Sequence, residues 1–170
     1  KDHSTGLERY WRFEFAPQMN WVNRPQALSE ALIEKLYAAV STRMQADVPV
    51  GVFLSGGIDS SSVASLAMTA SKSQNVKTYS IGFEDESFDE TAYSSDMAAV
   101  LGTDHTNEQL TAAGCLELLD DIYTHLDEPM ADSSLIPSFL MCRLARNQAT
   151  VALGGDGADE LFAGYDPFKA

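Results

Sequence analysis

The stretch Leu54-Ser55-Gly56-Gly57-Ile58-Asp59-Ser60-Ser61 constrains the fold more than any other part of this 170-residue chain. The apolar run Val48-Pro49-Val50-Gly51-Val52-Phe53 precedes it, long enough for a buried strand. Val63, Ala64, Leu66, Ala67 and Met68 follow at helical spacing. The order is therefore strand, glycine-rich turn, helix. Adjacent glycines permit positive φ and close backbone approach, so successive N–H groups can converge on an anion. The helix behind adds its own free N–H groups and the positive end of its dipole. Ser55, Ser60 and Ser61 offer hydroxyl donors, and Asp59 offers a carboxylate suited to Mg²⁺. Together these describe a pocket for pyrophosphate; the plain alternative is a serine-capped helix after a strand.

Two common nucleotide motifs do not fit. A P-loop requires a lysine and then Ser or Thr after its second glycine, yet no lysine stands between Lys35 and Lys72. The dinucleotide fingerprint requires three spaced glycines, and only an adjacent pair is present. A second strand-to-turn passage lies further along: Ala149-Thr150-Val151-Ala152-Leu153 opens into Gly154-Gly155-Asp156-Gly157-Ala158-Asp159-Glu160 and then a short apolar helix. Ligands collect where the carboxyl ends of parallel strands meet loops. Two such loops on one sheet can place Asp59 and Asp159 around one cation. An isolated acidic turn would do no more than cap a helix.

The remaining pattern alternates. A helix is expected from Pro25 to Ala46, with Leu28, Leu32, Leu36, Val40 and Met44 as its apolar stripe. Strands are expected at Val48–Leu54, Val76–Phe83, weakly at Thr106–Leu110, and at Thr150–Leu153. Helices are expected to about Ala70, over Asp89–Leu101 with Gly102 as its stop, over Ala112–His125, and from Ser133 or Ser134 to Arg146. Strands separated by helices imply a parallel sheet covered on both faces. The residues 1–23, with Tyr10-Trp11-Arg12-Phe13, read as an extended connector held by its aromatics.

Ser-Gly-Gly-Ile-Asp-Ser resembles the PP-loop of the ATP pyrophosphatases, which cleave ATP between its α and β phosphates. Both motifs together resemble the synthetase domain of the glutamine-dependent asparagine synthetases and their relative β-lactam synthetase. Lys77-Thr78-Tyr79-Ser80-Ile81-Gly82-Phe83, Leu101-Gly102-Thr103-Asp104-His105 and Asp127-Glu128-Pro129-Met130-Ala131-Asp132-Ser133-Ser134 look like further blocks in family order. The resemblance implies a three-layer α/β/α fold of the adenine nucleotide α hydrolase-like (PP-loop, HUP) type. It implies an ATP-dependent ligase that converts the aspartate side-chain carboxylate into β-aspartyl-AMP, releases pyrophosphate, and amidates with glutamine-derived ammonia. Residues 24–170 would form the ATP-binding domain, truncated at its carboxyl end, and 1–23 the tail of a connector from an amino-terminal glutaminase domain.

Carried over position by position, Ser55, Gly56, Gly57, Asp59, Ser60 and Ser61 hold the pyrophosphate portion, with Ile58 between them. Leu54, Ile81, Gly154 and Gly155 stand where the family contacts adenosine, and Asp59 and Asp159 match its Mg²⁺ carboxylates. Asp156 takes the acidic position tied to forming the acyl-adenylate, and Asp132, Ser133 and Ser134 sit near the acceptor pocket. The chain departs from the family at Gly154, where many relatives carry serine, and at Ala163, where glycine is frequent and packing is the expected reason. The family continues beyond position 170, including a lysine that stabilises transition-state charge; Lys169 lies too early for that role. Two alternatives stay open: a related cyclase or amidotransferase with another acceptor, and a nucleotide-binding module inert on its own.

A formal charge of −14 argues against nucleic acid or anionic membrane as main partner. It also means that backbone N–H groups and Mg²⁺ must supply the positive potential for ATP and aspartate. No apolar run is long enough to cross a bilayer and no secretory signal pattern is present. Cys115 and Cys142 lack metal-type spacing and read as reduced, buried thiols of a cytoplasmic protein. Small-molecule substrates are the expected partners, and a homodimer is compatible with the pattern. His3, His105 and His125 read as structural or surface residues.

Overall fold

The structure, a computed structural model, describes residues 6–12, 24–73 and 75–165. The chain divides into two compact units, Lys1–Glu34 and Lys35–Ala170. In the first, residues 6–12 carry no regular structure, and Leu7, Tyr10 and Trp11 are exposed. The rest of the expected connector, with Phe13, lies outside the described residues, as does Lys169.

Among the described residues ten elements follow in order: α1 (Pro25–Arg43), β1 (Val50–Phe53), α2 (Ile58–Ala70), β2 (Lys77–Phe83), α3 (Thr91–Leu101), β3 (Asp104–Leu110), α4 (Ala112–His125), α5 (Leu135–Arg146), β4 (Val151–Leu153) and α6 (Ala158–Phe162). All strand pairs are parallel and the sheet runs β3-β2-β1-β4. The chain enters at β1, steps outward to β2 and β3, then returns to the other side of β1. The direction of progression therefore reverses between β1 and β4, and at such a switch point open α/β sheets form a crevice beyond the strand ends. Pairing of Val52 with Leu153 sets the two following turns side by side.

Strand alternation sorts the core into two faces. Val52 and Leu54 pack with Ala64, Ala67, Val76, Ala98 and Val40 beneath α2 and α3. Phe53, Tyr79 and Ile81 point the other way onto Leu144 and Ala145 of α5, and Phe83 and Leu110 meet Leu118 and Ile122 of α4. Val52, Leu54 and Tyr79 are at most 1% exposed, the burial of the two aliphatic side chains contributing about 2 kcal/mol each.

Several expectations need correction. The α1 stripe is buried only at Val40, while Leu28 and Leu32 are exposed. The strand expected at Thr106–Leu110 spans Asp104–Leu110 and pairs with β2 along all seven residues. Its sequence, Asp-His-Thr-Asn-Glu-Gln-Leu, hides it because an edge strand tolerates polar residues. Helix α3 begins at Thr91, not Asp89. The Asp89 carboxylate instead accepts from the Phe83 N–H (3.2 Å), the Thr91 N–H (3.2 Å) and the Thr91 hydroxyl, tying the end of β2 to the start of α3. Gly102 ends that helix in the left-handed conformation, as expected. Ser134 precedes α5 without a capping side-chain bond, its N–H and hydroxyl both being held by Asp132 at 2.8 Å. Neither cysteine is paired; Cys115 is half-buried and Cys142 is exposed rather than buried.

Candidate active site

The turn after β1 is tied by its own serines. Ser60 Oγ accepts from the Ser55 N–H (3.2 Å) and lies 2.9 Å from Ser55 Oγ, which in turn accepts from the Gly57 N–H (3.2 Å). Gly57 precedes α2 with no side-chain cap, so the serines brace the loop and the plain capped-helix alternative does not hold. Gly56 has φ +87°, and a Cβ there would stand 2.5 Å from the Tyr93 carbonyl carbon; both facts require glycine. The first intrahelical bond runs from Ser61 N–H to Gly57 carbonyl at 3.0 Å. The N–H groups ahead of it belong to the unsatisfied start of the helix.

The turn after β4 closes over that helix start. A Cβ on Gly155 would lie 3.0 Å from Ser60 N and 3.1 Å from Asp59 Cβ. Between the loops and the carboxyl ends of β1 and β2 opens a cleft of about 460 Å³. Leu54, Ser55, Asp59, Ser60, Ile81, Gly155, Asp156 and Asp159 all line it. The other expected site residues do not. Gly56, Gly57 and Gly154 belong to the turns but not to the cleft wall, Ile58 is 85% exposed, and Ser61 is buried with its hydroxyl lacking a hydrogen-bond partner. A side chain at position 154 would meet the Asp156 carboxylate, so glycine there leaves that carboxylate its position.

The cleft also contains Glu90, Ser94 and Ser138, which the sequence did not single out, with Ser80, Ser134 and Glu160 from the quoted motifs and Tyr165 beyond α6. The signal for Ser80 was present, since polar Thr78 and Ser80 alternate within an otherwise apolar strand. Glu90 gave none. Asp127, Glu128, Asp132 and Ser133 lie outside the cleft.

Among the described residues five carboxylates line this cleft, at Asp59, Glu90, Asp156, Asp159 and Glu160, and no basic residue does. Their field is visible at Tyr165. Its phenol is held above the usual range by a hydrogen bond to Glu160 (2.8 Å) and by that residue's charge, with desolvation and the charges of Asp159 and Asp156 adding to it. Among the described residues no three His, Cys, Asp or Glu side chains gather into a protein-only metal cage. The donor set suits Mg²⁺ in the form that takes one or two carboxylates and completes its shell with phosphate oxygens and water. Repulsion from these carboxylates opposes a polyanionic ligand, and a cation beside it would offset that repulsion.

The asparagine synthase family model matches residues 31–170, and the chain belongs to that family. It is 36% identical over 168 residues to asparagine synthetase [glutamine-hydrolyzing] 1 of Bacillus subtilis, covering 99% of this chain and 26% of that protein. It is 38% identical over 165 residues to a putative asparagine synthetase of Mycobacterium bovis, covering 96% of this chain and 25% of that protein. The chain thus spans about a quarter of the length of these relatives. Among solved structures it resembles NMN synthetase from Francisella tularensis, with TM-score 0.54, 18% identity, and coverage of 80% of this chain and 58% of that one. That likeness is one of fold, the parallel-sheet α/β architecture expected from the alternation of strands and helices.

Proposed function

We propose that this chain is the ATP-binding part of an amide-forming ligase of asparagine-synthetase type. The observation that carries the reading is the convergence of both motif loops at the β1/β4 switch point, where Asp59, Asp156 and Asp159 share one cleft with Ser55 and Ser60. ATP would lie with its nucleoside against Leu54 and Ile81, on the β1 and β2 side, and its pyrophosphate against the braced loop and the α2 start. Mg²⁺, held by Asp59 and Asp159, would neutralise charge on the phosphates. One hydroxyl proton lies between Ser55 and Ser60, so the pair would offer at most one donor to the departing oxygens beside the loop N–H groups, and the step depends on positioning and charge neutralisation.

In this reading the side-chain carboxylate of aspartate attacks the α phosphorus and pyrophosphate leaves. Ammonia, drawn from glutamine by a partner glutaminase domain, then displaces AMP to give asparagine. Asp156 faces the cleft and is placed to orient the acceptor or take a proton from the incoming amine. Ser134 and Ser138, on the α5 side of the cleft, would contact the acceptor. No helix among the described residues is long and apolar enough to cross a membrane. The test is ATP–pyrophosphate exchange in the intact protein. Asp59→Ala should lower it about a hundredfold or more with the fold retained; exchange at the wild-type rate would remove Asp59 from the site.

A further inference from the structure

A line of polar side chains runs under α3 on the face of the sheet that carries Thr78 and Ser80. His105 of β3 lies in it, with Nδ1 2.9 Å from Thr78 Oγ1 and Nε2 3.2 Å from Ser80 Oγ. Thr78 Oγ1 continues to Thr103 Oγ1 at 2.8 Å, and the single Ser94 hydroxyl proton has two acceptors in reach, Ser80 Oγ at 3.2 Å and the Thr91 carbonyl at 3.1 Å. Thr78 and Ser94 are fully buried and Ser80 is 4% exposed, yet Ser80 and Ser94 both reach the wall of the cleft. Buried hydroxyls are costly unless each is satisfied, so the arrangement of protons along this line is constrained.

Burial holds His105 below its usual pKa, so the ring is neutral near pH 7, and a hydrogen bond to the Thr78 backbone opposes that shift. A neutral imidazole has one N–H and one lone pair. Each ring nitrogen faces a hydroxyl, and in the tautomer whose Nδ1–H points at Thr78 the Nε2 lone pair takes the Ser80 proton. Ser80 then presents only oxygen lone pairs to the cleft. We propose that His105 is a positioning residue that fixes Ser80 Oγ as a hydrogen-bond acceptor for a donor group on the nucleoside half of the bound nucleotide. Ser80 adjoins Ile81, so the inference rests on the nucleotide reading of this cleft. The donors on an adenine nucleoside are its two ribose hydroxyls and its exocyclic amine.

Equilibrium binding of ATP–Mg²⁺ to the intact protein tests this, with circular dichroism as the check on folding. Ser80→Ala and His105→Ala should each weaken ATP binding about threefold to tenfold, the range of one hydrogen bond. The double variant should lose no more than either alone. His105→Gln, whose carbonyl can accept the Ser80 proton, should restore most of the affinity. Of 2′-deoxy-ATP, 3′-deoxy-ATP and purine riboside triphosphate, the one lacking the donor that Ser80 accepts should bind wild type and Ser80→Ala equally. Wild-type affinity in Ser80→Ala, or additive losses in the double variant, would overturn the inference even if His105→Ala folds poorly. Wild-type protein that binds no ATP would overturn the nucleotide reading itself and this inference with it.

Discussion

Gly155 rests against the first turn of α2 so closely that an added Cβ would stand 3.1 Å from Asp59 Cβ and 3.0 Å from the Ser60 nitrogen. That contact joins two loops separated by about a hundred positions and makes one cleft of them. The atoms it meets are backbone and Cβ, which cannot swing aside. Gly155→Ala is expected to destabilise the protein by about 1–3 kcal/mol, the usual cost of overpacking. It should weaken ATP binding as well. Urea denaturation and a nucleotide titration measure the two effects.

Ser60 is 9% exposed and its hydroxyl is the hub of the first loop, accepting from Ser55 N–H and lying near the Gly57 carbonyl at 3.3 Å. Ser60→Ala leaves the Ser55 N–H without that partner and should cost about 1–2 kcal/mol. ATP affinity should fall alongside, because the brace that holds the turn open is gone. A variant as stable as wild type would show that the serine brace contributes nothing.

Ala163 ends α6 at φ +57°, ψ +43°, the left-handed region that disfavours a side chain. Packing is therefore not the reason glycine suits this position; backbone conformation is. Ala163→Gly is expected to raise stability by about 1 kcal/mol, seen as a higher thermal midpoint with the same unfolding slope in denaturant.

The five carboxylates of the cleft predict a strong metal requirement. Removing Mg²⁺ with a chelator should weaken ATP binding by more than about tenfold, since 1.4 kcal/mol of uncompensated repulsion suffices for that. Titration calorimetry with and without Mg²⁺ provides the comparison. Asp159→Asn should narrow the gap between the two conditions.

His105 also sets a pH dependence of stability. Its folded pKa lies below the ordinary histidine value of 6.5, chiefly through burial. Above 6.5 both folded and unfolded chains hold it neutral, and its contribution is complete. As pH falls below 6.5 the unfolded chain takes up the proton first, and stability declines through the folded pKa. Thermal midpoints between pH 8 and pH 5 should therefore drop more steeply in wild type than in His105→Gln.

Local order was legible in the amino-acid sequence. Strand, glycine turn and helix at 48–70 and again at 149–162 follow from short-range hydrophobic runs and turn residues, and family membership follows from the same blocks. Most of the residues expected at the site line one cleft for that reason. The expectation was loosest where a residue's direction depends on its neighbours. Ser61 and Ser60 are adjacent and chemically alike, yet the helical turn buries one hydroxyl away from the cleft and brings the other into it. Helix α1 carries an apolar stripe, but a stripe is buried only where another element covers it. β3 looked weak because its pairing with β2 comes from backbone groups that side-chain pattern does not encode.

The sequence by itself determined which segments become strands and helices and where the chain turns tightly, since those depend on φ preferences and spacing within a few residues. Only the tertiary structure decided that β4 returns beside β1, that Gly155 seats on the α2 start, and that Glu90, Ser80 and His105 face or support the same cleft. Those relations join residues tens of positions apart. Pairing and packing of the whole sheet, not local preference, select them.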